Sequence, residues 1–430
     1  MIAPKGKVEI FLLVCFVLLV IPDTTVSSYI PASGILRFVA VPIVLFLTIY
    51  YSTLRKADSS KKGPNTFWIQ AFITIGVLSS VFSEAPALAF LKLSLFLGLV
   101  IPLYTCKWAI SSSWTHNNSD YFYSSIFFLF IILTNPIKPL FSNPNQVGIL
   151  SAIAVGIWIY KISAYRLRTS WKDLVLGGVI TLYILIVVWQ SGSRTGLAAT
   201  VTVLLCWISL RNARSLTTML GSTFLVVALS ISLIFIFGVN DREDVRGFIE
   251  KGSDTELLDS VRKNMIEESL SHFSEKPLLG YGFGLSWNIQ ARDLEIVLRT
   301  GRLSRLVGEF GNSTLAILIG GGLLLLIAYY GLIFALSFRS LFLFYRLPLR
   351  DPRRRLLLLG LSLVAGLFVN SQGEGWMISL GWPAFILWMV LGQMNHLLGV
   401  SAQTPLRNNR RKMSSLRSKP RLRRATQKAV

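Results

Sequence analysis

Leu315–Leu336 reads LAILIGGGLLLLIAYYGLIFAL, 22 residues with no charged side chain. A helix needs roughly 20 apolar residues in a row to cross the hydrocarbon core of a bilayer. Asn312-Ser313-Thr314 stands before the run, and Arg339 is the first charge after it. Windows of about 19 residues, moved outward from this stretch, place spans near 8–22, 35–53, 67–82, 87–104, 121–134, 147–163, 174–190, 197–210, 217–238, 312–336, 355–370 and 377–399. The chain of 430 residues is 53% hydrophobic and only 15% charged, with a mean hydropathy of +0.58. This excludes an ordinary soluble protein. The expected fold is all-α: a polytopic integral membrane protein with about 12 transmembrane helices and one large helical periplasmic loop.

The net charge of +22 invites a nucleic-acid reading. A soluble binder has no need of repeated apolar runs, so nucleic acid is set aside and the charge is assigned to the loops. An even number of spans puts both termini on one side. The N-terminus, the loops at 54–66, 105–120, 161–173, 211–216 and 337–355, and the tail together hold 29 Lys plus Arg against 5 acids. The remainder holds 14 against 16. The positive-inside tendency makes the first group, with both termini, cytoplasmic. The tail 400–430, basic and without apolar periodicity, is expected to be disordered and to meet anionic lipids together with Arg339, Arg346, Arg350, Arg353, Arg354 and Arg355. The first run, preceded by Lys5 and Lys7, lacks a small-x-small cleavage site after it and is taken as an anchor. Cys15, Cys106 and Cys206 have neither ligand spacing nor a paired framework, so no metal, disulfide or cofactor is expected.

The domains are thus 1–238 with nine spans, the loop 239–311, three spans in 312–399, and the tail. The loop has 73 residues, with 13 acids and 10 bases, and a loop of that length usually carries function. Val261, Met265, Ile266, Leu270 and Phe273 recur at helical spacing after Asp259-Ser260, and that helix should stop at Glu275-Lys276-Pro277. The turn-rich Leu279-Gly280-Tyr281-Gly282-Phe283-Gly284 follows. A second amphipathic helix over about 286–308 should lie on the membrane. Its Arg299, Arg302 and Arg305 repeat every three residues. They either converge on an anion, where the guanidinium fork grips two phosphate oxygens, or form a solvated face balanced by Asp293, Glu295 and Glu309.

Ser191-Gly192-Ser193-Arg194-Thr195-Gly196 lies between two spans on the outer side. Arg194 is either poised to hold a phosphate between helix ends or is an interfacial arginine in a plain turn. Arg37 and Lys92 fall in or at the lip of apolar spans, where an unpaired charge costs at least a few kcal/mol, so both should face polar surroundings. Asn135-Pro136-Ile137-Lys138-Pro139-Leu140-Phe141-Ser142-Asn143-Pro144-Asn145 has two Asn-Pro steps that force turning backbone. It is either structural or leaves amides for hydroxyls. Gly320-Gly321-Gly322 permits close helix contact or a kink, with packing favoured.

Phe141-Ser142-Asn143-Pro144-Asn145, Ser191-Gly192-Ser193-Arg194-Thr195-Gly196, Ser260-Val261-Arg262, Pro277-Leu278-Leu279-Gly280-Tyr281-Gly282 and Asn312-Ser313-Thr314-Leu315 running into Gly321-Gly322-Leu323 occur in that order. In order, spacing and topology the chain resembles the O-antigen ligase/polymerase family of bacterial membrane proteins over about residues 65–400. The resemblance implies a metal-independent membrane glycosyltransferase at the outer face of the cytoplasmic (inner) membrane. It would pass a glycan from undecaprenyl diphosphate to an acceptor glycan or to a lipid A core, as surface polysaccharide polymerase or as ligase. By the same resemblance Arg194 and Arg262 hold the diphosphate leaving group and Lys92 corresponds to a basic residue of the cavity, while the spacing of Arg299, Arg302 and Arg305 makes them further candidates for the diphosphate. Asn143, Asn145 and Asn312 are candidates for the glycan or acceptor.

The family commonly has a histidine, regarded as the base, where this chain has Gly311. Glycine takes no proton. Glu309 and, more weakly, His272 are the candidate bases, unless positioning suffices or the chain is a catalytically divergent member. The missing imidazole puts polymerase ahead of ligase. A transporter is the alternative of a different class, but no inverted repeat of interrupted helices is evident.

Overall fold

The computed structural model of the chain describes residues 14–24, 35–54, 66–105, 141, 144–164, 171–191, 193–212, 266–289, 311–349 and 351–403, with the isolated positions 217, 218 and 221. Among these residues the regular structure is helical and no strand occurs. One isolated bridge joins Thr24 to Phe141. The helices are α1 (Ile35–Leu54), α2 (Thr66–Val81), α3 (Pro86–Thr105), α4 (Pro144–Ala164), α5 (Trp171–Gln190), α6 (Arg194–Asn212), α7 (Ser313–Arg346), α8 (Pro352–Ser371) and α9 (Trp382–Gln403). A shorter apolar segment, Val14–Asp23, precedes them, and 266–275 form a helix within the large loop. By length and composition α3, α7 and α8 can cross a membrane; Val14–Asp23 and parts of α1, α2, α4 and α5 are apolar but shorter. Among the described residues, then, three helices meet the length criterion, against the twelve spans expected. The expected span at 121–134, and nearly all of 217–238, lie outside the described residues.

Two boundaries differ from expectation. Helix α7 runs ten residues past Leu336 to Arg346, because apolar residues continue to Tyr345 and Arg339 does not interrupt them. The last helix starts at Trp382 and not at 377, because the glycine-bearing segment 372–381 folds as turns. The loop helix ends at Glu275, where Lys276-Pro277 was expected to stop it.

The tightest packing puts α6 against α8 and α4, α7 against α2, and α9 against α3, while α7 and α8 join the two groups. An aromatic cluster fills the centre. Phe72 of α2 has ring centroids 6.1 Å from Phe96 of α3, 5.5 Å from Tyr329 of α7 and 6.0 Å from Phe283 of the large loop. Trp388 of α9 lies 6.2 Å from Phe96. Arg37 pairs with Asp23, so its charge is met by a carboxylate next to the bundle.

The loop reaches the core through the glycines of α7. Gly322 has φ 69° inside the helix, which kinks there and frees backbone groups that apolar surroundings would leave unpaired. The chain 277–281 supplies the partners: Leu323 N donates to Pro277 O at 2.8 Å, Leu324 N to Leu278 O at 3.3 Å, and Tyr281 N to Ile319 O at 2.8 Å. Ser79 of α2 donates to Gly320 O at 3.0 Å. The glycine run therefore serves a kink that receives a loop, where helix packing was the favoured expectation. A Cβ on Gly322 would stand 2.1 Å from the Leu278 oxygen, besides the left-handed φ. Gly322→Ala should cost about 2–5 kcal/mol, read as an earlier thermal unfolding of the detergent-solubilised protein. An unchanged melting temperature would show that the loop does not seat there.

Candidate functional site

Three helices begin at one end of the bundle. Pro144 opens α4, Ser193 caps α6, and Asn312 caps α7. Ser193 Oγ accepts from Gly196 N at 3.1 Å, and Asn312 Oδ1 accepts from Thr314 N at 2.7 Å and Leu315 N at 3.3 Å. Side-chain oxygens of this kind satisfy amides that the first helical turn leaves without partners. Each start also carries the positive end of a helix dipole, which favours negative charge nearby.

The three starts are tied together by side chains. Ser193 Oγ donates to Asn145 Oδ1 at 3.1 Å, and the other end of the same amide, Asn145 Nδ2, donates to Glu374 Oε1. Ser313 Oγ donates to Glu374 O at 2.6 Å, and Asn312 Nδ2 to Gln372 O at 2.8 Å. Thr314 Oγ1 donates to Gln372 Oε1 at 2.9 Å and lies 2.6 Å from the Tyr330 hydroxyl. Beneath these, Trp376 Nε1 donates to Asn370 Oδ1 at 2.9 Å, and Asn370 Nδ2 to Thr195 Oγ1 at 3.4 Å. Arg194 is the first residue of α6 and is half-buried. The motif around Arg194, Asn145 from the Asn-Pro loop and Asn312 from the start of α7 are thus brought to one place. A half-buried network of this kind holds a fixed geometry when its members are satisfied.

Lys92 stands apart from that network. It is buried on α3, and its Nζ donates to the carbonyl of Gly284 under the turn-rich part of the loop. His272 is on the loop helix, its ring stacked on Trp287 at 4.7 Å and its Nδ1 3.2 Å from Glu275. Tyr281 donates to Glu275 at 2.5 Å, and Lys276 pairs with Glu84 between α2 and α3. Burial raises the Tyr281 hydroxyl pKa above its ordinary value, helped by the hydrogen bond to Glu275 and the charges of Glu275 and Glu84. The hydrogen bond from Tyr281, and then the nearby His272, hold the Glu275 carboxyl below its ordinary value. This group fastens the loop to the bundle. His272 does not join the network around Arg194 by any hydrogen bond among the described residues. Arg262, Arg299, Arg302, Arg305, Asn143 and Glu309 lie outside the described residues.

The sequence reading passed over Gln372-Gly373-Glu374-Gly375. A signal was present: this polar stretch with two glycines sits between two apolar runs on the same side as the motif of Arg194, and it carries a charge.

Apolar helices with a polar cluster knitted across their starts define a helical membrane protein with a site at one end of its bundle. A family model described as "O-Antigen ligase" matches residues 179–330, from Val179 of α5 to Tyr330 of α7. Over those residues, about a third of its length, the chain is similar to that family. The match includes Arg194, the loop and Asn312. Lys92, Asn145 and Glu374 lie beyond it, and it is shorter than the 65–400 over which the motifs run. No curated protein matches the chain.

Proposed function

We propose that the chain transfers a glycan from a lipid diphosphate, with undecaprenyl diphosphate as carrier, to a sugar acceptor at the outer face of the bacterial cytoplasmic membrane. The observation that carries this is the convergence of Arg194, Asn145 and Asn312 at the starts of α4, α6 and α7. Breaking a sugar–phosphate bond develops negative charge on the departing diphosphate. A guanidinium and helix starts fixed in advance stabilise that charge without reorganising. Arg194 with Arg262 forms the clamp, Arg299, Arg302 and Arg305 extend it along the loop, and the amide of Asn143 meets a sugar hydroxyl, while Asn145 and Asn312, whose amides are engaged in the network, serve the glycan by fixing the site. In this topology about twelve spans leave both termini in the cytoplasm, with the basic tail against anionic lipids.

The test is a purified protein given a lipid diphosphate-linked oligosaccharide. Release of the lipid diphosphate with lengthening or transfer of the glycan is the expected result. Translocation with every covalent bond intact would instead make the chain a transporter. Offering a second lipid-linked repeat against a lipid A core as acceptor separates polymerase from ligase, with polymerase the expected outcome because Gly311 stands in place of the histidine.

Lys92 gives a further prediction. Lys92→Met keeps an unbranched side chain one atom shorter and removes a buried charge that costs at least a few kcal/mol, against the loss of its bond to the Gly284 carbonyl, so thermal stability should hold or rise. If Lys92 serves the diphosphate, turnover should fall at least about tenfold. A variant with wild-type turnover would exclude Lys92 from the diphosphate site.

A further inference from the structure

We propose that Glu374 is the general base of the transfer, taking the proton of the acceptor hydroxyl, and that Asn145 holds its carboxylate in place. The assignment rests on the glycan-transfer reading above. A base for this reaction has to sit beside the leaving-group site and be able to take a proton near neutral pH. The imidazole that would fill that role is absent, since position 311 is glycine.

The other acids with described side chains are placed elsewhere. Asp23 pairs with Arg37, Asp351 with Arg353 at the opposite end of the bundle, and Glu84 and Glu275 belong to the fastening of the loop. Glu267 and Glu268 are exposed on the loop helix. His396 lies 14 residues into α9, about 21 Å along the axis from the end where the site is. Through Asn145, Glu374 is joined to the cap of the helix that Arg194 opens. Its carboxylate accepts from Asn145, whose amide also accepts from the serine capping Arg194's own helix. Its main chain is pinned separately by Ser313 at the start of α7. One amide thus sets the position of the carboxylate relative to the arginine, which a base and a leaving-group clamp acting on the same sugar require.

In the step itself the acceptor oxygen attacks the anomeric carbon and forms the new C–O bond. Its proton passes to the Glu374 carboxylate. The bond from the anomeric carbon to the diphosphate oxygen breaks, and its electron pair leaves on the diphosphate, next to Arg194. Glu374 then releases the proton to water, so the sum is donor plus acceptor giving the glycoside, the lipid diphosphate and a proton.

The experiment measures transfer by the full chain with a lipid diphosphate-linked oligosaccharide as donor. Glu374→Gln keeps an oxygen for Asn145 and leaves the bond from Ser313 to the main chain. Its turnover should fall at least about a hundredfold, with donor KM and melting temperature at wild-type values. Glu374→Asp should recover at least about tenfold of that loss, because it restores a base on a shorter arm. Wild-type turnover in the Gln variant would overturn the assignment. So would an Asp variant no faster than Gln with donor KM raised in both, the mark of a carboxylate that only shapes the site. A wild-type protein that releases no lipid diphosphate would overturn the glycan-transfer reading itself, and the assignment with it.

Discussion

Arg194→Ala is expected to lower glycan transfer by about 10²–10³-fold, the loss seen when a single preorganised group facing developing charge is removed, while the protein still inserts and folds. The expectation follows from position. Arg194 opens α6 directly after its capping serine, so the guanidinium and the dipole of α6 act at the same end. Lysine should restore only part of the loss, since it offers a point charge where the guanidinium offers a planar fork. Arg262→Ala should behave alike if both arginines grip one diphosphate. Turnover is read as lipid diphosphate released. Wild-type rates in both alanine variants would remove the clamp.

Gly196→Ala should have the second large effect, through the backbone. A Cβ on Gly196 would lie 2.2 Å from the Cα of Gly148, and one on Gly148 would lie 2.4 Å from the Cα of Gly196. Helices α4 and α6 therefore touch backbone to backbone, two residues from Arg194 and three from Asn145, as small residues allow in membrane bundles. Alanine must push the helices apart. The same Cβ would crowd Ser193 Oγ at 2.5 Å, so both the cap of α6 and the bond to Asn145 are disturbed. The expected cost is about 1–3 kcal/mol of stability, together with at least about a hundredfold of turnover, since small displacements of positioning groups cost that much. Gly178→Ala on α5 is the control. Nothing lies within 4 Å of its Cβ, so it should be neutral or slightly stabilising. Equal behaviour of the two variants would mean that the α4–α6 contact does not set the site.

Much of the architecture was legible because apolar length is a local property. The runs behind α1 to α9 could be read without knowing what they pack against, and a proline or a serine marked several of their starts. The motif 191–196 was legible as a junction, and its serine does cap α6. What could not be read is the meaning of the glycines at 320–322. The same three residues serve helix packing or a kink, and the choice depends on Pro277 and Leu278 bringing their carbonyls to the freed amides. Nor could Lys92 be read beyond its cost, since its partner is the Gly284 carbonyl, 192 residues away.

The sequence by itself determined that this is a helical protein with a membrane-spanning composition, and that Arg194 sits at a junction between helices. Only the tertiary structure decided that Asn145, Ser193, Asn312 and Glu374 share one network, for the amide and the carboxylate that meet there are 229 residues apart. Hydrophobicity acts on each segment wherever its neighbours are, whereas a hydrogen bond exists only when two particular groups arrive within reach at the right angle. Packing of α4, α6, α7 and α8 supplies that arrival.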